Sequence, residues 1–203
     1  MPKLSIIGCG PGNPSYLLPV AREKALEQDL LVGKKMFLDF FPEFKGIKRE
    51  LSSSLQKEIG FLKQEIHKVK VGLLVSGSPL QFSLARLVLK EVGRKNCVII
   101  PGISVVEVAL ARLGLDREKL FVSSFHGRRP LLKPEDLLSF EHWVFFLDRD
   151  LSWLKEQEFL FSLGKFFYLE NLTLPEERVL ALKSSENLPQ VKGPALVVGS
   201  KWL

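Results

Sequence analysis

Short apolar runs alternate along this chain with longer stretches in which apolar residues recur at helical spacing. The runs read as buried strands and the stretches as amphipathic helices, the pattern of a largely parallel sheet covered by helices. Residues 4–7 predict the first strand. Residues 16–28 predict a helix capped by Asn13 or Ser15, with Leu17, Val20, Ala21 and Ala25 on one face. A short strand at 30–32 precedes the aromatic-rich stretch FLDFFPEFKG, which reads as an irregular connection. Ser52, Ser53 or Ser54 caps the next helix, whose stripe of Leu55, Ile59, Leu62 and Ile66 faces a core. A strand at 69–75, a helix at 80–92 stopped by Gly93, a strand at 97–100 and a helix at 104–113 follow.

The pattern pauses in the charged segment 113–119, which predicts a boundary between two α/β domains, 1–114 and 115–203. Strands are expected beyond it at 120–123, 143–147 and 166–169, with helices from Pro134 and across 152–163, the latter stopped by Gly164. Two late strands, 179–182 and 195–199, are candidates for antiparallel pairing, which makes the second sheet mixed.

Composition narrows the picture. At 203 residues and 46% hydrophobic, the chain can bury such cores, so a disordered protein is excluded. No apolar run approaches the roughly 18 residues of a membrane span, and the first residues lack the apolar run of a signal peptide, so a cytoplasmic protein without membrane contact is expected. Cys9 and Cys97 each lie beside a strand and share no motif spacing, which supports neither a disulfide nor a zinc site. The three histidines are far apart in sequence, and no resident metal is expected. The net charge of +6 suits an anionic partner, but the cations are scattered among acids, with no aromatic-and-basic recognition motif for nucleic acid. A solvated surface is the first explanation of such scattered charge, and a polyanionic small molecule, steered by the field of a basic cleft, is the second.

Three strands of the first half end in similar turns: Ile6-Ile7-Gly8-Cys9-Gly10-Pro11-Gly12, Leu73-Leu74-Val75-Ser76-Gly77-Ser78-Pro79 and Val98-Ile99-Ile100-Pro101-Gly102-Ile103-Ser104. If the strands are parallel, the turns share the edge at which open α/β sheets bind ligands. The dinucleotide fingerprint Gly-x-Gly-x-x-Gly fails, because the glycines fall at 8, 10 and 12 and position 13 is Asn. Pro11 and Pro14 also remove amides that a pyrophosphate would use, and no phosphate-binding Gly-x4-Gly-Lys motif occurs. A nucleoside-like ligand held by backbone remains, and S-adenosylmethionine is the common cofactor of that kind.

Gly8-Cys9-Gly10-Pro11-Gly12 with Tyr16-Leu17, and Ser76-Gly77-Ser78-Pro79-Leu80 after it, resemble the opening motifs of the tetrapyrrole methylases. Pro101-Gly102-Ile103-Ser104, Ala111-Arg112-Leu113-Gly114-Leu115 and His126-Gly127-Arg128 are similar to the subgroup that methylates C5 of precorrin or cobalt-precorrin in cobalamin synthesis. Phe41-Pro42-Glu43, Glu170-Asn171-Leu172 and Pro175-Glu176-Glu177-Arg178-Val179 fit that subgroup as well. The resemblance implies two α/β domains with a ligand cleft between them, S-adenosylmethionine as methyl donor, a tetrapyrrole substrate and a homodimer. It further implies that Cys9, Gly77, Ser78, Gln81, Ser104, Val105 and Leu147 line the cofactor pocket, with Gly10, Pro11 and Gly12 nearer the tetrapyrrole. The chain departs from the family at Ser78, where Asp is usual. It is also too short for the fused C15-methylating and decarboxylating domain of some relatives, so that activity, if present, is expected on another polypeptide.

A sulfonium methyl is already a strong electrophile, so walls and clamps matter more than a nucleophilic triad. Arg128 and Arg129 are candidates to bind substrate carboxylates in bidentate fashion. His126 is the candidate acceptor of the proton lost on methylation, and Tyr16 is within sequence reach of the substrate side. His67 and His142 read as capping or packing residues. A nicotinamide-dependent oxidoreductase, an RNA-binding protein, and methylases acting at another corrin position, on uroporphyrinogen or on a modified protein histidine are the competing readings.

Overall fold

The computed structural model describes residues 4–127, 132–149, 151–184 and 188–203. Two compact units divide the chain, Met1–Val105 and Val106–Leu203.

The first unit runs β1 (Leu4–Gly8), α1 (Pro19–Leu26), β2 (Leu30–Gly33), α2 (Lys35–Leu38), β3 (Ile47–Glu50), α3 (Leu55–Glu65), β4 (Val71–Val75), α4 (Ala85–Val92) and β5 (Cys97–Ile100). Its sheet has the order β3-β2-β4-β1-β5, and every neighbouring pair is parallel. Side chains alternate across it. Leu4, Ile6, Val71, Leu73 and Val75 join Leu62, Val88 and Val92 from α3 and α4 in one core. Ile7, Leu31, Leu74 and Ile100 join Ala21, Ala25, Phe37 and Phe41 in another. Burial on both faces is why these strands read as unbroken apolar runs, and each fully buried aliphatic side chain contributes about 1.5–3 kcal/mol.

Three expectations change in this unit. The helix read at 16–28 starts only at Pro19: Leu18 precedes a proline and is extended, at φ −65° and ψ 142°. A single 3-10 turn, Pro14–Tyr16, lies before it, with the Ser15 amide donating to Asn13 Oδ1 at 2.9 Å. The helix read at 80–92 is shortened to α4, because Phe82 takes a left-handed backbone, φ 47°, that cannot continue a helical turn. Strand β3 is new. It pairs only with β2, at the edge of the sheet, so its Lys48, Arg49 and Glu50 need no apolar alternation.

After α5 (Val105–Leu113), the second unit runs β6 (Leu120–Ser124), α6 (Pro134–Leu137), β7 (His142–Phe146), α7 (Ser152–Glu156), α8 (Leu160–Leu163), β8 (Lys165–Glu170), β9 (Arg178–Leu182) and β10 (Ala195–Ser200). The sheet order is β6-β7-β10-β8-β9; β6 and β7 are parallel, and the other neighbours are antiparallel. The two late strands therefore do not pair with each other. Both run antiparallel to β8, on opposite sides of it. The helix read at 152–163 is broken at Gln157, whose φ of −111° and ψ of 40° are not helical. Trp143, Phe145, Trp153, Leu154, Phe166 and Tyr168 form the centre of this unit's core. No helix among the described residues is long and apolar enough to cross a membrane.

Candidate functional site

Strands β4, β1 and β5 are adjacent, with β1 in the middle. Their parallel direction puts the three glycine turns side by side at the carboxyl edge of the first sheet. The connection from β1 leads to β2 on one side, while that from β4 crosses to β5 on the other. Such a reversal is where open α/β sheets leave room for a ligand.

The glycines divide into two kinds. A Cβ on Gly8 would stand 2.6 Å from the Gly102 amide nitrogen and 2.7 Å from the Gly77 carbonyl oxygen. One on Gly102 would strike the same backbones in return. These two glycines let three turns pack main chain against main chain. Gly77 is different: its φ of 63° is left-handed, and an added Cβ would find its nearest atoms, Ile103 O, Ser104 Cα and Val105 N, at 3.9–4.0 Å. A Cβ beside Gly77 would make only ordinary van der Waals contacts. Its amide donates to the Gly10 carbonyl at 2.8 Å, which ties the turn after β4 to the turn after β1.

Polar side chains line the same edge. Ser104, buried at the start of α5, donates its hydroxyl to Gln81 Oε1. Ser78 Oγ accepts from the Leu80 amide at 3.3 Å, closing a turn that an aspartate would close in the same way. Val105 is half-buried. Cys9 is fully buried, its amide donates to Val75 O at 2.8 Å, and burial pushes its thiol up to about 12, so only its backbone is available for chemistry at this edge. Pro11 and Tyr16 are half-buried and Gly12 is buried, and the Tyr16 carbonyl lies 2.8 Å from where a Gly10 Cβ would stand. Cys9, Gly10, Gly77, Ser78, Gln81, Ser104 and Val105 thus share one edge of the first unit.

Leu147 and His126 belong to the second unit, at the carboxyl ends of β7 and β6. Leu147 is buried and its amide donates to Ala195 O at 3.0 Å. His126 is exposed, with Nδ1 at 3.9 Å from Asp148 Oδ1. Asp148 escapes notice in the sequence, although it directly follows Leu147; its role depends on β6 and β7 being neighbours. The amide of Arg149 and then that of Gly127 hold its carboxyl below the ordinary range. Arg128 and Arg129 lie outside the described residues.

The Glu170-Asn171-Leu172 motif has a structural use. Glu170 is buried; its Oε1 accepts from the amides of Lys192 and Gly193 at 2.5 and 2.9 Å, and its Oε2 from Arg178 Nε at 2.8 Å. Burial alone would raise its pKa, but these donors outweigh burial and hold it near about 2. A carboxylate bound this way is a cross-link between β8, β9 and the segment before β10. His142 is buried on β7, with Nδ1 at 2.9 Å from Ser200 Oγ and the Trp202 ring edge-on at 4.5 Å, in keeping with a packing role. Among the described residues, no group of three His, Cys, Asp or Glu is placed to hold a metal ion.

The parallel sheet with its glycine edge, joined in sequence to a mixed sheet, is an architecture shared with solved methyltransferases. The cobalamin-biosynthesis precorrin-6Y methylase of Archaeoglobus fulgidus superposes with a TM-score of 0.77 at 22% identity, covering 97% of both chains. A uroporphyrin-III C-methyl transferase of Thermus thermophilus, solved with S-adenosylhomocysteine, gives 0.73 at 16% identity over 98% of this chain and 97% of that one. The family profile of the Tetrapyrrole (Corrin/Porphyrin) Methylases matches residues 3–186, and the chain belongs to this family. Among curated relatives, the probable cobalt-precorrin-7 C(5)-methyltransferase of Methanocaldococcus jannaschii is 31% identical over 195 residues, 90% of each chain. The cobalt-precorrin-7 C(5)-methyltransferase of Salmonella typhimurium is 31% identical over 125 residues, 62% of each.

Proposed function

We propose that this protein is an S-adenosylmethionine-dependent C-methyltransferase acting at C5 of a precorrin or cobalt-precorrin in cobalamin biosynthesis. The observation that carries the reading is the likeness over 90% of both chains to the Methanocaldococcus C5-methyltransferase.

The residues of the first unit fit the adenosyl donor. Gly77 is unclashed beside the main chain of Ile103, Ser104 and Val105 and lies on the edge that carries the Ser104–Gln81 pair. Cys9, Gly77, Ser78, Gln81, Ser104, Val105 and Leu147 would hold the donor, mostly through backbone. When bound, the donor supplies an electrophilic methyl on a sulfonium. The protein's own task is orientation, which can lower a barrier by roughly 7–11 kcal/mol without any protein nucleophile. Gly10, Pro11 and Gly12, with Tyr16 behind them, would face the tetrapyrrole, and Arg128 and Arg129 would hold its carboxylates by bidentate hydrogen bonds. His126 would accept the proton displaced from the ring carbon. A cytoplasmic homodimer is part of the same proposal.

Calorimetric titration with S-adenosylhomocysteine, with NAD as the parallel control, tests the class. Saturable binding of the former alone supports the reading. Incubating the protein with S-adenosylmethionine and a precorrin then tests the position, read by NMR of the methylated ring. A new methyl at any carbon other than C5 removes the assigned position but keeps the family chemistry, and binding of NAD alone removes both.

A further inference from the structure

We propose that Asp148 is a positioning residue for His126, fixing the ring tautomer that leaves Nε2 free to accept a proton. The inference rests on the proton-acceptor role given to His126 above.

β6 and β7 are parallel neighbours in register from Leu120 with His142 to Ser124 with Phe146. The pairing continues one step further, since the Phe125 amide donates to Phe146 O at 2.9 Å. The residues that follow each strand, His126-Gly127 and Leu147-Asp148, are therefore brought together. Asp148 Oδ2 accepts from the Gly127 amide at 3.2 Å and its Oδ1 from the Arg149 amide at 2.8 Å. Its carboxylate is thus fixed to both turns by main chain. Below the histidine, Phe125 is buried and stacks on Trp153 with ring centroids 3.5 Å apart and planes within 9°. A buried stack under one turn and a carboxylate tied across both hold the base of an otherwise exposed side chain.

The His126 nitrogen that faces Asp148 is Nδ1, at 3.9 Å from Oδ1. A carboxylate on that side favours the tautomer with hydrogen on Nδ1, because an unprotonated nitrogen would present a lone pair to the anion. The free lone pair then lies on Nε2, on the far side of the ring. When a methyl replaces the hydrogen on the ring carbon, that hydrogen leaves as a proton, and Nε2 is its acceptor. The imidazolium so formed keeps the Asp148 charge beside it. Catalytic hydrogen bonds are commonly long before substrate is bound, and this pair, at 3.9 Å, becomes one only by tightening.

Two readouts test this, one of which needs no substrate. In nitrogen-15 NMR of the protein alone, His126 is expected mainly as the Nδ1–H tautomer, and Asp148→Asn should shift it to Nε2–H. Asparagine keeps one acceptor oxygen and so serves only one of the Gly127 and Arg149 amides; Asp148→Glu, which keeps both oxygens, is the second variant if the first melts early. In single-turnover methyl transfer, His126→Ala should slow the reaction by about 100-fold, the lower end of the range for a general base, and Asp148→Asn by about 10-fold. In the His126→Ala background, Asp148→Asn should add less than about 2-fold, because the two residues act as one unit. An Nε2–H tautomer in the unmodified protein, or multiplicative losses in the double variant, would overturn the proposal. If the unmodified protein transfers no methyl to a precorrin, the functional reading fails, while the tautomer measurement still decides whether Asp148 orients His126.

Discussion

The Ser104 hydroxyl donates to the Gln81 side-chain carbonyl, joining the turn after β5 to the turn after β4 across the carboxyl end of the first sheet. Ser104 ends the third glycine turn but Gln81 lies outside the glycine motifs, and this bond ties together two turns that flank Gly77. Ser104→Ala should leave the fold intact and weaken S-adenosylhomocysteine binding by about 2- to 10-fold, the value of one net hydrogen bond. Calorimetry of the variant beside His126→Ala checks it: the second substitution should leave that affinity unchanged.

Gly8 and Gly77 predict opposite outcomes for the same substitution. Gly8→Ala puts a methyl 2.6 Å from the Gly102 backbone, with no flexible side chain to move aside, and should cost about 3 kcal/mol or more in urea unfolding. Gly77→Ala meets nothing nearer than 3.9 Å and costs only the strain of a left-handed backbone, about 1–2 kcal/mol. That variant should fold and lose donor binding. Unfolding curves and calorimetry on the same two samples separate them.

Glu170 predicts an acid-sensitive second unit. Its folded pKa of about 2 lies below the ordinary 4.5, so the stability it contributes is fully present above about pH 4.5 and is lost as pH falls toward 2. Glu170→Gln should lower neutral-pH stability by about 2 kcal/mol, below the usual cost of breaking a buried pair because Arg178 can turn to water. The variant and the unmodified protein should converge near pH 2. Trp143, Trp153 and Trp202 all lie in the second unit, so tryptophan fluorescence reports on this unit alone.

Cys9 should resist thiol reagents. With its thiol pushed up to about 12 and its side chain sealed in the core, alkylation at pH 8 should modify half-buried Cys97 first and reach Cys9 only in urea. Mass mapping of labelled peptides reads the order. Labelling of Cys9 in the native protein would mean that the turn after β1 opens in solution.

Much of this architecture is legible in the chain because two-sided burial leaves apolar runs, as in β1, read at 4–7 and observed at Leu4–Gly8 with every residue buried. Strand β3 is illegible for the converse reason: an edge strand with Ile47 70% exposed and three charged residues after it carries no apolar signal. Proline chemistry at Leu18-Pro19 would have placed the start of α1 correctly, had it been weighed above the spacing of Leu17 and Val20. The glycine turns lie side by side at one edge, as parallel strands require. Which glycines face a ligand and which face one another depends on the order β4-β1-β5, and a sequence does not display strand order. Asp148 was hidden for the same reason, since only the pairing of β6 with β7 sets it beside His126.

β1 lies between two partners that come much later in the chain, so its pairing is completed late. Those partners start at Val71 and Cys97, so a nascent chain arrested before Cys97 carries a mostly apolar strand with one side unpaired. Such a side invites pairing with other chains, and the sheet around it, built from distant segments, forms slowly. Biosynthesis therefore sets a demand that the finished enzyme conceals: β1 must be shielded until the strand that starts at Cys97 has been made. Slowing translation just before residue 97 should raise aggregation of the product more than slowing it after residue 104.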